Sequence, residues 1–346
     1  MLKFFRKKKE ETASALEFDY DSVNAGYLIC SKCSGKMLLD NLAPLSTANC
    51  PNCGESNFIP LLLEKYWLFL PIGGGGVGCV YKAFDIETGK LCAIKILQEE
   101  EKKNKFVVDS FIREAEIGLE ICSHPNIGTV VGYGQAEDEY YMASEFLDGE
   151  RLDELVLDNG GRVDEERVLL WGLQILSALQ HIYDCGYLYR DLKPQNLMVR
   201  NNGESITLFD FGLCLELGDV EYDRGDDTVE GSPQYFPPER CDFEIEDMYS
   251  EIYSLGMVLF FCLAGEPYYN ADTPMELLEL HVKRLTKKSV SDRIVHCNPD
   301  IAVIIDKMIK REPKERYQTY KEVYVELEKI YKMYQSCGAG EVKIWQ

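Results

Sequence analysis

Read for the spacing of apolar and polar positions, the chain changes character near Tyr66. The stretch that follows mixes β-like runs with glycine turns: Cys79–Phe84, Leu91–Ile96, Val130–Gly134 and Tyr140–Glu145, with a further run at Ile206–Phe209. The later half is helix-patterned over Glu165–Tyr183, Tyr249–Ala264, Met275–Arg284, Ile301–Lys310 and Lys321–Met333. Strands first and helices later predict an α+β arrangement. The longest apolar run, Tyr253–Ala264, is too short to span a bilayer and reads as a buried helix, so no transmembrane segment is expected. Asn57–Lys65 reads as a short connection to a distinct region before it.

Composition narrows the classes. At 346 residues the prior is about two domains, and 46% hydrophobic with 28% charged residues is ordinary for a globular chain. Collagen-like, mucin-like and wholly disordered readings are excluded. The net charge of −22 repels phosphate backbones, so no nucleic-acid partner is expected. Lys3, Arg6, Lys7, Lys8 and Lys9 make a basic start, but Glu10–Asp21 is polar and acidic where a secretory signal needs an apolar stretch. Residues 1–23 therefore read as a disordered tail, with at most weak contact with an anionic membrane surface. Thirteen cysteines, an odd and mostly scattered set, fit a reducing cytoplasm better than a disulfide framework.

Four cysteines are not scattered. Cys30-Ser-Lys-Cys33 and Cys50-Pro-Asn-Cys53 are two C-x2-C pairs separated by 16 residues, within the spacing of four-cysteine zinc sites. Four thiolates satisfy tetrahedral zinc and leave no open position, so the site is expected to be structural; iron is the chemical competitor. Gly35 and Gly54 follow each pair, where a knuckle turn needs a permissive backbone. Residues 24–60 resemble a zinc ribbon, too small to fold on a hydrophobic core alone. Lys32 and Lys36 are balanced by Asp40 and Glu55, so a protein partner suits this segment better than a nucleic acid.

Gly73-Gly74-Gly75-Gly76-Val77-Gly78-Cys79-Val80 fits G-x-G-x-x-G-x-V, which a dinucleotide fold also uses. A helix should then open directly after the glycines; instead a strand continues, turns at Thr88-Gly89 and runs into a second strand carrying Lys95. With that lysine in place, residues 66–334 resemble a Ser/Thr protein kinase domain of the bacterial type, leaving 335–346 as a C-terminal tail. The resemblance implies a two-lobed fold, a β-rich N-lobe and a helical C-lobe, preceded by the small zinc ribbon. It also implies an enzyme that uses ATP with Mg²⁺ (or Mn²⁺) to phosphorylate Ser/Thr hydroxyls of protein substrates.

Residue by residue, the resemblance places the phosphates under Gly73, Gly75 and Gly78 and beside Lys95. Glu114, with Glu116 in reserve, is the helix partner of that lysine. Tyr141–Gly149 resembles the strand and hinge between lobes, with Ser144 as a small gatekeeper and the adenine edge on backbone groups of Glu145 and Leu147. Ile72, Val80, Ala93 and Met198 would cover the ring. Tyr189-Arg190-Asp191-Leu192-Lys193-Pro194-Gln195-Asn196 resembles the catalytic loop, with Tyr189 replacing histidine. Asp191 would accept the substrate proton, Lys193 would offset charge on the transferring group, and Asn196 with Asp210 of Asp210-Phe211-Gly212 would hold magnesium. Gly231–Glu239 resembles the end of the activation segment, with Ser232 for threonine and Pro237 for alanine. Arg316 is the expected partner of Glu239. Glu251 stands where the family has aspartate, an extra methylene that a shifted helix or loop must absorb. Arg190 implies a phosphate-binding arginine, with Thr228, ahead of Tyr222 and Ser232, as its phosphorylation site; the alternatives are that the acidic side chains around Thr228 stand in for the phosphate, or that the segment is a solvated acidic loop. The competing reading is a pseudokinase scaffold that only binds partners. Lys95, Asp191, Lys193, Asn196 and Asp210 all being present argues for catalysis.

Overall fold

The computed structural model describes residues 18–75, 77–158, 160–218, 231–283, 288–294 and 296–337. The basic start of the chain, Gly76, Tyr222 and Thr228 lie outside the described residues. Two compact units are present, Met1–Val108 with Gly132–Phe146, and Asp109–Val131 with Leu147–Gln346.

The first unit is built mainly from strands. It opens with a short helix, α1 (Tyr20–Asn24), capped by Asp19, whose carboxylate accepts the Ser22 N–H at 3.1 Å. Part of the stretch expected as a tail is thus ordered. The cause is aromatic: Phe18 stacks on Phe69 at 4.7 Å and leans on Trp67 and Phe84, while Tyr20 meets Phe84. Two antiparallel hairpins follow, β1 (Tyr27–Ile29) with β2 (Lys36–Leu38) and β3 (Thr47–Asn49) with β4 (Ser56–Phe58).

A six-stranded sheet completes the unit, built from β5 (Leu61–Leu63), β6 (Tyr66–Gly74), β7 (Gly78–Asp85), β8 (Lys90–Leu97), β9 (Val130–Ala136) and β10 (Glu139–Glu145) in the order β5-β6-β7-β8-β10-β9. The expected connection at 57–65 is therefore strand at both ends, β4 pairing with β3 and β5 with β6. Strands of three residues are too short for their period to show in a sequence pattern. One face of the sheet is the unit's core, with Leu68, Ala83, Ile94, Ile96, Tyr141 and Ala143 buried together. Leu45, from the loop between the hairpins, packs on that core, and Phe58 meets Tyr81 at 6.1 Å.

The second unit is mostly helical. Its helices include residues of α2 (Lys105–Ile121), α3 (Leu152–Asp158), α4 (Glu165–Asp184), α5 (Pro238–Cys241), α6 (Met248–Ala264), α7 (Pro274–Lys283), α8 (Val290–Arg293), α9 (Pro299–Met308) and α10 (Tyr320–Cys337). Helix α6 explains the long apolar run: every residue from Ser250 to Leu263 is buried, so no polar face is needed. It starts at a capping box between Asp247 and Ser250 and stops at Gly265, whose φ of +75° a side chain would resist. Short strands carry the loops of interest: β11 (Gly149–Arg151), β13 (Leu197–Arg200) and β14 (Ile206–Leu208) form one sheet, and β12 (Tyr187–Leu188) pairs with β15 (Leu215–Glu216). Among the described residues, no helix is long and apolar enough to cross a membrane.

Candidate active site and metal centre

In the first unit, sheet register sorts the candidate nucleotide residues. Val80 pairs with Lys95, Lys82 with Ala93, Ser144 with Ala93 and Met142 with Lys95. Directly paired residues point to one side of a sheet, so Val80, Ala93, Lys95 and Ser144 share the face opposite the core. The glycine turn lies at the end of the same strands: Gly75 N–H donates to Gly78 O at 3.0 Å and Gln98 Nε2 to Gly75 O at 2.9 Å. Gly78 is required by close approach, because a Cβ there would sit 2.7 Å from the Ile96 carbonyl oxygen. Gly75 faces open space, a Cβ at Gly73 would touch Val80 at 3.8 Å, and Ile72 is 42% exposed. Glu145 ends β10.

In the second unit, Asp191 is buried, and its Oδ2 accepts both Lys193 Nζ and Asn196 Nδ2 at 2.7 Å. Asn196 Nδ2 also reaches Asp191 O at 3.1 Å, so the amide oxygen is the end of Asn196 that remains for a cation. The loop is tied to the strand leading to Asp210 by Phe209 N–H donating to Asn196 O at 3.1 Å and Tyr189 O–H donating to Phe209 O at 2.7 Å. Tyr189 is fully buried and packs edge-on against Phe211, which fits a packing role at that position. Asp210 is exposed and holds a left-handed φ of +70°. Asn196 and Asp210 together offer an amide oxygen and a carboxylate, the hard donors magnesium takes beside phosphate oxygens. Met198 lies on β13, opposite Arg151 and Thr207. Leu147 borders Gly128.

The structure separates the two candidate glutamates: Glu114 is buried and Glu116 exposed. The Glu114 carboxylate lies beside Gly212, where an added Cβ would be 3.5 Å from Oε2. The expected Arg316–Glu239 pair is present as a two-pronged contact at 2.7 and 2.8 Å, with both side chains almost fully buried.

Glu251 keeps its contact with the loop, accepting Arg190 N–H at 2.8 Å, and its longer side chain also accepts the Tyr320 O–H. Complete burial pushes this carboxyl up to about 7, against the pull of the Tyr320 hydroxyl and the loop N–H groups. Three residues that the sequence reading did not single out complete the surroundings: Tyr320, Glu246 and Arg240. Glu246 accepts from both Arg190 and Arg240. Burial works against its ionisation, but the two guanidiniums prevail and hold it down at about 2. Their links to Arg190 and Glu251 span 50 to 69 positions, beyond the reach of any local pattern.

A protein kinase domain model matches residues 66–326, about three quarters of the chain. The chain belongs to the protein kinase family. Its kinase domain is similar to a probable serine/threonine-protein kinase of Clostridium perfringens, 31% identical over 79% of this chain and 39% of that protein. It is also similar to a probable serine/threonine-protein kinase of Streptomyces coelicolor, 32% identical over 76% of this chain and 39% of that protein. A third relative is the serine/threonine-protein kinase PrkC of Bacillus subtilis, 28% identical over 76% of this chain and 40% of that protein. The chain thus spans about two fifths of the length of these curated relatives.

The four-cysteine segment lies ahead of the matched kinase domain. Cys30, Cys33, Cys50 and Cys53 bring their sulfurs within 4.8 Å of one another, with Cys30–Cys53 and Cys33–Cys50 at 3.6 Å. Sulfurs ~2.3 Å from a common tetrahedral centre lie about 3.8 Å apart, so the donor set fits zinc. Each knuckle repeats the same backbone bonds: Ser34 N–H to Cys30 O and Cys30 N–H to Gly35 O, then Gly54 N–H to Cys50 O and Cys50 N–H to Glu55 O. Gly54 supplies the left-handed position of the second knuckle, φ +74°, but in the first that position is Ser34, φ +57°, rather than Gly35. Gly35 is instead needed for room, since a Cβ would meet Asn52 Nδ2 at 2.4 Å. Backbone N–H groups of Cys33 and Lys32 draw Cys30 down to about 6. The Glu55 N–H pulls Cys53 down, but desolvation and the other thiols outweigh it and carry Cys53 up to about 12. Asn57 Nδ2 donates to Cys30 Sγ at 3.7 Å, while its Oδ1 holds the Ser31 N–H, a support of the kind metal ligands receive.

Proposed function

We propose that this chain is an ATP-dependent serine/threonine protein kinase acting on protein substrates. The observation that carries the reading is the joint hold of Lys193 and Asn196 on one oxygen of Asp191. With Oδ2 occupied by two donors, Oδ1 is left to receive the proton of an incoming hydroxyl and to orient that hydroxyl for in-line attack. Lys193 places positive charge where the transferred phosphoryl group gains negative charge. Asn196 and Asp210 would hold Mg²⁺ or Mn²⁺, which would offset the negative charge of the ATP phosphates. Lys95 would hold the α- and β-phosphates, with Glu114 orienting it. Gly73, Gly75 and Gly78 would bring backbone to the phosphates, and Ile72, Val80, Ala93 and Met198 would enclose the adenine, whose edge meets Glu145 and Leu147 backbone.

Cys30, Cys33, Cys50 and Cys53 would hold a structural zinc that folds residues 27–58. The ribbon would then offer a protein-binding surface rather than a nucleic-acid one. A reducing cytoplasm would suit the free thiols spread over the described residues. Transfer of radiolabelled phosphate from ATP to a generic basic protein, lost in Asp191→Asn, tests the reading. Transfer that survives the substitution contradicts it.

A further inference from the structure

Arg190, the residue before Asp191, has a φ of +67°, a left-handed conformation that a residue with a side chain keeps only when its surroundings impose it. Backbone and guanidinium of Arg190 are both engaged. Its N–H donates to Glu251 Oε1 at 2.8 Å, and its carbonyl accepts Arg240 Nη1 at 2.8 Å. Its guanidinium gives Nε and Nη2 to Glu246 Oε1 at 3.1 and 2.7 Å.

Arg240 turns on the same carboxylate, giving Nε and Nη2 to Glu246 Oε2 at 3.0 and 2.6 Å, and its guanidinium lies 5.0 Å from the Phe236 ring. The Glu246 side chain is 1% exposed, so this anion is fixed between two cations out of reach of water. Arg240 thus grips Arg190 twice, directly at the carbonyl and indirectly through Glu246. The anchor comes from α5 and the turn before α6, outside the activation segment itself.

We propose that Glu246, held by Arg240, is a positioning residue that supplies the anion for Arg190 from within the fold and so sets the Arg190–Asp191 backbone before any phosphate is added to the activation segment. The proposal rests on the reading of Asp191 as the proton acceptor. It changes the expectation for Thr228: a phosphate there is not needed for turnover.

The test uses the full chain. Wild type and Thr228→Ala are treated with a protein phosphatase, shown free of phosphate by mass spectrometry, and assayed for initial rates on a generic basic protein. Both should keep kcat within about threefold of untreated wild type. Glu246→Gln should lower kcat ~10- to 100-fold, the scale of a small misplacement at the reacting centre, with KM for ATP unchanged. Glu246→Asp should restore part of the loss. A role in folding alone would not give that split or that rescue. If Glu246→Gln does not fold, as judged by binding of a non-hydrolysable ATP analogue, Arg240→Gln serves in its place. It removes the contact to the Arg190 carbonyl and the second cation on Glu246, and should lower kcat by about tenfold with KM for ATP unchanged; a folded Arg240→Gln with wild-type kcat would overturn the proposal. Phosphatase-treated wild type that is inactive while the untreated protein turns over, or a folded Glu246→Gln with wild-type kcat, would overturn the proposal alone. Untreated wild type no faster than Asp191→Asn would overturn the reading beneath it as well.

Discussion

Replacing Tyr320 by Phe removes one hydroxyl and leaves the ring in its buried place. That hydroxyl donates to Glu251, a carboxylate without exposure to water that also takes the Arg190 N–H. Burial lifts the Glu251 carboxyl from 4.5 to about 7, opposed by donation from Tyr320, Arg190 and Tyr189 and reinforced by the negative charge of Glu246. The folded state therefore holds a proton between about 4.5 and 7 that the unfolded chain has already lost. Stability from this group falls as pH rises through that window and is lowest above about 7, by roughly 3 kcal/mol at ~1.4 kcal/mol per pH unit. A hydrogen bond to a charged group is worth about 1.5–3 kcal/mol, so its loss should raise the carboxyl by a further one to two pH units. The cost of Tyr320→Phe should then depend on pH: about 2 kcal/mol at pH 8, where the wild-type carboxyl is ionised, and about 1 kcal/mol or less at pH 5, where the partner is neutral. The acid limb of kcat should move alkaline by about one to two pH units, because the ionised carboxylate grips the Arg190 N–H more firmly. Urea unfolding at both pH values and a kcat–pH profile read these effects. An equal cost at pH 5 and pH 8, with superimposable profiles, would refute the reasoning.

Lys95→Ala and Asp210→Ala should each reduce phosphoryl transfer by ~100-fold or more while the protein still melts cooperatively, since both act through charge on phosphates and metal; turnover and thermal melting check this together. Arg316→Ala should destabilise the second unit by about 3–5 kcal/mol by leaving the Glu239 carboxylate buried without its partner, measured by urea unfolding. Metal-replete protein should carry one zinc per chain by elemental analysis. Chelation should release backbone hydrogen-exchange protection in residues 27–58, while the second unit keeps its own, because the hairpins have a separate small core of Cys30, Met37 and Cys50.

What could be read without the structure was whatever a local pattern encodes. Helices α4 and α6 and strands β7, β8 and β10 were legible because their periods run over many residues. The stretch Tyr189–Asn196 stood out because its residues lie side by side in a local motif, and Asp191, Lys193 and Asn196 do bond to one another within it. Glu114 could be ranked above Glu116 from the local pattern, but that Glu114 is buried and Glu116 exposed depends on which helix face packs inward. Phe18 and Tyr20 were hidden in a polar stretch, and only the rings of Trp67, Phe69 and Phe84 explain why that stretch is ordered. The extra methylene of Glu251 looked like a defect in isolation; Tyr320, 69 positions later, gives the second oxygen a partner. Arg240 and Glu246 were unremarked because nothing near them in sequence announces Arg190.

The measurement that bears most directly on the account is phosphate transfer by the full chain, from radiolabelled ATP with magnesium to a generic basic protein, comparing wild type with Asp191→Asn. The substitution keeps the shape at Asp191 but removes the carboxylate that Lys193 and Asn196 orient. The account predicts incorporation on serine and threonine by wild type and a loss of ~1,000-fold or more in the variant, with binding of an ATP analogue unchanged. Comparable incorporation by both proteins, or none by wild type that binds nucleotide and magnesium, would contradict it.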